Sequence, residues 1–233
     1  MEIYYKTDSR KVRYREYWRI TNGQLFPFLI AAVMKTLGVP LDFKSAMPHI
    51  DKLLPLEARD VDPAIQSDIT PLIERVRGLG AEFHRLYSIP MLTKATGLGL
   101  AFVSEDRKTL PQILYSRGRG GGRTFAINSF SCVSKLPDAR LIVTSDQPRR
   151  FDPAPWVDPV SMPNAPVELV YARHTERLKS LIGPPPIALL SPESLDAFIL
   201  ELNNRELDHK ISRGLAVPMT EDEVLRLRAQ VGA

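Results

Sequence analysis

The chain has 233 residues, 44% hydrophobic and 25% charged, a balance that matches ordinary globular domains and excludes a disordered or fibrous chain. Its longest apolar run, Leu25 to Met34, contains Pro27 and falls well short of the roughly 20 residues that a membrane-spanning helix needs, so no membrane insertion is expected. A net charge of only +4 and a single cysteine, Cys132, exclude an internal disulfide framework and the dense positive stripe of a dedicated DNA-binding domain; with residues 1–19 charged and aromatic rather than signal-like, the expected location is cytoplasmic.

Residues 2–6 and 11–19, rich in aromatic and β-branched types, flank the turn-like run Thr7-Asp8-Ser9-Arg10 and predict a hairpin. At strand spacing Arg13 and Arg15 would meet solvent while Tyr14 and Trp18 pack inward. The stretch from Pro27 to Leu37 is apolar on nearly every side, which predicts a short buried helix ended by Gly38. Pro40, Pro48 and Pro55 then restrict residues 39–62 to isolated turns. Thr70-Pro71 reads as a cap and first helical turn, with Leu72, Ile73, Val76 and Leu79 on one face.

Five β-prone stretches follow, at 82–89, 98–104, 110–116, 123–133 and 139–145, separated by turn chemistry such as Glu105-Asp106-Arg107-Lys108 and the glycine run 118–122. Connections this short require mostly antiparallel pairing. Six prolines between 148 and 166 predict an extended edge or coil, after which Asn164 is expected to cap a helix with Val167, Val170, Tyr171, His174, Leu178 and Leu181 on one stripe. Ser191 with Pro192, and Thr220 with Glu223, read as the starts of two tail helices. The expected fold is α+β: an antiparallel β-meander of about five strands covered by helices. Residues 1–62 form an N-terminal extension with a possible hairpin and a short buried helix, 63–183 the core domain, and 184–233 a C-terminal helical tail.

Chemistry-bearing residues are sparse. Cys132 and His174 together would make a thiolate–imidazole pair, but the parity of Cys132 within a strand and the apolar stripe holding His174 point to packing roles. The four histidines, His49, His84, His174 and His209, lack zinc-ligand spacing, so no metal and no cofactor is expected. His174 and Asp146 are the only catalytic candidates, and neither has a partner at a defined spacing. The most distinctive segment is Arg117-Gly118-Arg119-Gly120-Gly121-Gly122-Arg123. Its glycines let backbone donors approach a ligand, and Arg117, Arg119 and Arg123 supply forked donors for phosphate or carboxylate oxygens; the simpler reading is a solvated hairpin loop.

These residues favour a non-enzymatic interaction or scaffold protein that contacts a macromolecular partner, in the first instance another protein, through basic loops or the acidic tail. One alternative is an enzyme acting on a phosphorylated or carboxylated small substrate held by the arginine–glycine segment. A second is a weak nucleic-acid binder using the same arginines.

Overall fold

The computed structural model describes residues 3–39, 41, 46–92, 95–120 and 123–230, with the side chains of Ala58, Arg119, Gly120, Arg123 and Gln230 left out. A seven-stranded sheet occupies its centre. Strands β3 (Leu54–Pro55), β4 (Glu82–Ile89), β5 (Thr96–Val103), β6 (Leu110–Gly120), β7 (Arg123–Lys135), β8 (Leu141–Ser145) and β9 (Val157–Ser161) lie side by side in chain order. All neighbours are antiparallel except β8 and β9, which run parallel, so the sheet is mixed. The five expected stretches are present as β4 to β8; the meander is extended by a short strand at one edge and by a parallel, proline-bearing strand at the other. Pro159 is tolerated in β9 because an edge strand can spare a backbone donor.

Both faces of the sheet are covered. On one, Ile65, Ile69 and Val76 of helix α3 (Pro63–Arg77) and Val167 and Val170 of α4 (Val167–Lys179) share a core with Leu98, Leu100, Phe102, Ile113, Phe130 and Cys132. On the other, Leu195, Phe198 and Ile199 of α5 (Pro192–Ser212) share one with Tyr87, Ala101, Val103, Leu110, Val133 and Leu141. Strand alternation assigns residues to the two faces. In β5 it sends Leu98, Leu100 and Phe102 toward α3 and α4, and Gly97, Gly99 and Ala101 toward α5.

A second, three-stranded antiparallel sheet joins the two ends of the chain: β1 (Tyr4–Thr7) lies between β2 (Ala46–Pro48) and β10 (Ala216–Pro218). Next to it, α1 (Tyr14–Ile20) and α2 (Leu25–Thr36) build a third core from Val12, Tyr17, Ala31 and Leu215, with Ile20, Phe28 and Phe151 packed against it. The last helix, α6 (Glu221–Gln230), starts at the expected box, in which Glu223 accepts from the Thr220 N–H and Thr220 from the Glu223 N–H.

Several local expectations are corrected. Residues 14–20 are helical, not the second strand of a hairpin: Glu16 accepts the Arg13 N–H at 2.7 Å, fixing the first turn, and Tyr17 and Ile20 then fall on the inward face. The first α-helix of the core starts at Pro63, capped by the Asp62 carboxylate on the Ala64 N–H, so Thr70-Pro71 lies inside it rather than at its beginning. Pro166, not Asn164, precedes α4; Asn164 sits in a turn with φ 62°. The glycine–arginine segment is not a wide loop: β6 continues to Gly120 and β7 resumes at Arg123, pairing Gly118 with Phe125 and Arg119 with Thr124. Gly121 and Gly122 lie outside the described residues.

The largest departure concerns α2. An all-apolar helix reads as buried, yet of its twelve residues only Ala31 is fully buried. Among the described residues the helix packs on one side only. Trp18 meets the Phe28 ring edge-on at 5.3 Å, Tyr14 Oη and Thr36 Oγ1 are 3.1 Å apart, and the Lys35 ammonium lies 5.5 Å from the Tyr14 ring. The opposite side faces water.

Candidate interaction surface

The residues singled out for chemistry are dispersed. His174 is buried between α4 and the sheet, with Nε2 3.0 Å from Ser134 Oγ and Nδ1 3.1 Å from Thr144 Oγ1. Arg177 Nη1 also donates to Thr144 Oγ1, at 3.0 Å. Ser134 Oγ in turn is 3.1 Å from Thr109 Oγ1, so a chain of neutral donors and acceptors runs through the interior. Burial, and then the Arg177 charge, push the His174 pKa down to about 3. The ring is held neutral with both nitrogens occupied, an arrangement that suits a positioning role in the core.

Cys132 is wholly buried on the same face, and burial pushes its thiol up, away from the thiolate form that reacts. Asp146 lies just beyond β8, where its carboxylate accepts from Gln147 Nε2 at 3.1 Å; no hydrogen bond or ion pair among the described residues joins it to His174. Arg117 is engaged by Asp68 at 3.0 Å. Arg119 and Arg123 are described only by their backbone pairing. Among the described residues no group of three or more His, Cys, Asp or Glu side chains is close enough to hold a metal ion.

A cleft of about 370 Å³ opens between α5, the β8–β9 edge and residues 147–156. Its inner wall is apolar, from Leu141, Val143 and Leu202. Three of its cations already have carboxylate partners: Arg205 with Glu201, Lys210 with Glu206 and Arg213 with Glu16. Arg149 and Arg150 at its rim are exposed and form no hydrogen bond or ion pair among the described residues.

One carboxylate organises the adjoining surface. Asp152 receives Arg13 Nη1 at 2.9 Å, Arg15 Nη2 at 2.6 Å and Arg19 Nη2 at 2.5 Å. Burial alone would raise its pKa, but the bonds from Arg15, Arg19 and Arg13 outweigh this and bring it to about 2. Arg15 and Arg19, one helical turn apart, extend from the flank of α1 next to Trp18. With Arg13 they make a cationic margin of three arginines around one acid, and the exposed Arg149 and Arg150 add two more charges from the rim of the cleft that Asp152 also lines.

Beyond that margin, the exposed face of α2 is built from Leu25, Phe26, Leu29, Ile30 and Val33, with Leu37 just past the helix end. At 100° per residue these six fall within an arc of about 140°, while Phe28 and Ala31 fall opposite, toward α1. Phe26 is 75%, Leu37 70% and Leu25 63% exposed. At such exposures the six leave roughly 700 Å² of mostly apolar surface in water, more than the 300–600 Å² of the largest patch on a typical monomer. Trp18 and Tyr14, also exposed, stand between this face and the arginines. The left-handed turn at Asn22 and Gly23, with φ 51° and 72°, folds α2 back along α1 and so sets the two surfaces side by side; glycine meets that requirement without a Cβ penalty. Apolarity alone could not separate this face from a core helix; what separates it is that no second apolar element covers it among the described residues.

Compared with protein-family models, with curated proteins and with solved structures, the chain matches none.

Proposed function

We propose that the protein is a non-enzymatic interaction module that engages a macromolecular surface through the joint face of α1 and α2. The observation that carries this reading is the solvent-exposed apolar face of α2, from Leu25 to Leu37, bordered by Trp18 and Tyr14. A patch of that size is a standing aggregation hazard unless something covers it, which is why such patches mark docking sites. The interior placement of His174 and Cys132 supports the same reading, since neither presents a reactive atom to solvent. Among the described residues the strands of the arginine–glycine hairpin expose Leu114, Phe125 and Ile127, and the acidic tail Ile187, Leu190 and Leu225, each fewer than the six large apolar side chains on the α2 face.

Photo-crosslinking tests it. A benzophenone amino acid replacing Phe26, irradiated in the cells that make the protein, should give covalent adducts, whereas the same group at the fully exposed Ile182 should not. Absence of adducts at both positions would overturn the reading.

A further inference from the structure

The covering surface can be specified by its chemistry. We propose that the α1–α2 face docks on an anionic lipid surface, with α2 lying in the membrane interface and the arginines of α1 and of residues 149–150 meeting lipid headgroups. This rests on the docking role assigned to that face above.

Three features of the face converge on a lipid surface. The apolar component is bulky and continuous along one side of a helix, as in helices that lie at the boundary between headgroups and acyl chains. Trp18 and Tyr14 flank it, and their rings, apolar in body and polar at one edge, favour the boundary between hydrocarbon and water. Beside them stand Arg13, Arg15 and Arg19, for which Asp152 is the only carboxylate partner among the described residues, and Arg149 and Arg150 line with Asp152 the adjoining cleft; Glu16 is buried and paired with Arg213. One apolar anchor of this size binds a bilayer marginally, and a neighbouring basic patch supplies the second attraction that makes attachment stable.

The same charge argues against a second copy as the occupant. A two-fold pair formed through α2 would bring like margins toward each other, because a self-complementary interface repeats every feature on both sides. No helix among the described residues is long and apolar enough to cross a membrane, and the proposal requires none: α2 would lie along the interface.

Two sets of variants separate the components without disturbing the fold. Phe26→Glu with Leu29→Glu acts on side chains already in water, and Arg149→Ser with Arg150→Ser removes charges that hold no partner among the described residues. Full-length protein is sedimented with vesicles of phosphatidylcholine alone and with phosphatidylglycerol mixed in. Binding to the mixed vesicles is expected, at least tenfold tighter than to phosphatidylcholine and weakened by salt. The arginine pair should lower it about tenfold or more, and the glutamate pair should abolish it.

Equal binding to both vesicle types, no binding to either, or wild-type binding by the glutamate pair would overturn the proposal. If vesicle binding fails while sedimentation equilibrium shows a dimer that the glutamate pair dissociates, the occupant is a second copy; if it fails while the crosslinker at position 26 yields a protein adduct, the occupant is another protein. In both cases the lipid inference falls and the docking role stands. If vesicles, self-association and crosslinking all fail, both fall.

Discussion

Arg213, at the end of α5, closes on the fully buried carboxylate of Glu16 in α1, its Nη2 lying 2.8 and 2.9 Å from the two oxygens. The same carboxylate accepts the backbone N–H of Arg13 and of Asp152, each at 2.7 Å. One side chain thus joins the first turn of α1, the segment carrying Asp152 and the end of α5. It fixes the platform on which α2 rests to the body of the protein. Glu16→Ala would leave a largely buried guanidinium and two backbone donors without their partner, at a cost of about 3–5 kcal/mol. Glu16→Gln, which keeps an acceptor, should cost less. Urea denaturation gives the magnitudes, and hydrogen exchange should show protection lost first in α1 and α2.

Tyr87 and Gly99 are cross-strand partners in β4 and β5, and the tyrosine ring lies over the glycine. A Cβ at Gly99 would fall 2.0 Å from Tyr87 Cζ, far inside contact distance. Gly99→Ala should therefore destabilise by about 3 kcal/mol or more, by displacing a buried ring or parting the strands. In a Tyr87→Ala background the same change should cost much less. A double-mutant cycle reads the coupling directly, and additive effects would show that the ring does not enforce the glycine.

Stability should fall with acid in a way that His174 explains. Its folded pKa of about 3 lies below the ordinary value of 6.5, so between those limits the unfolded chain binds a proton that the folded protein refuses. The contribution is complete above pH 6.5 and is lost progressively as pH falls toward 3. Between pH 7 and 5 this amounts to about 2 kcal/mol. His174→Gln should be less stable at pH 7 and should flatten that part of the pH profile, as chemical denaturation at the two pH values will show.

The junction around Asp152 should loosen only in stronger acid. Its pKa of about 2 lies below the ordinary 3.8, so the carboxylate keeps its attraction for Arg13, Arg15 and Arg19 above pH 4 and loses it as pH falls through 2. Trp18 neighbours this cluster, and its fluorescence should change in that window in wild type and much less in Asp152→Asn, with the second tryptophan, Trp156, replaced by Phe in both proteins.

What was legible in the sequence is what local chemistry determines. Strands β4 to β8 stand out because turn residues separate β-prone runs, and α5 and α6 because Ser191, Thr220 and Glu223 satisfy the orphan donors of their first turns. The run from Lys11 to Arg19 misleads because its aromatics fit both a two-residue and a four-residue period, and because Glu16, which caps the first turn through the Arg13 N–H, is held there by bonds across the fold to Arg213 and the Asp152 N–H. Glu16 and Arg213 are 197 positions apart, and no local pattern links them. The small residues of Gly97-Leu98-Gly99-Leu100-Ala101 announce a close approach but not the ring of Tyr87 that makes it. For α2, hydropathy shows an apolar helix and is silent on whether the fold supplies enough apolar neighbours to cover it.

A nitroxide placed on α2 tests the central claim most directly. Cys132 is wholly buried with its thiol pushed up, so Leu29→Cys can be labelled selectively, with Ile182→Cys as the exposed control. The account predicts that adding vesicles containing phosphatidylglycerol immobilises the label at position 29, raises its collisions with oxygen and lowers those with a water-soluble relaxant, while the label at 182 is unchanged. A label at position 29 that stays as mobile and as water-accessible as the one at 182 would contradict it.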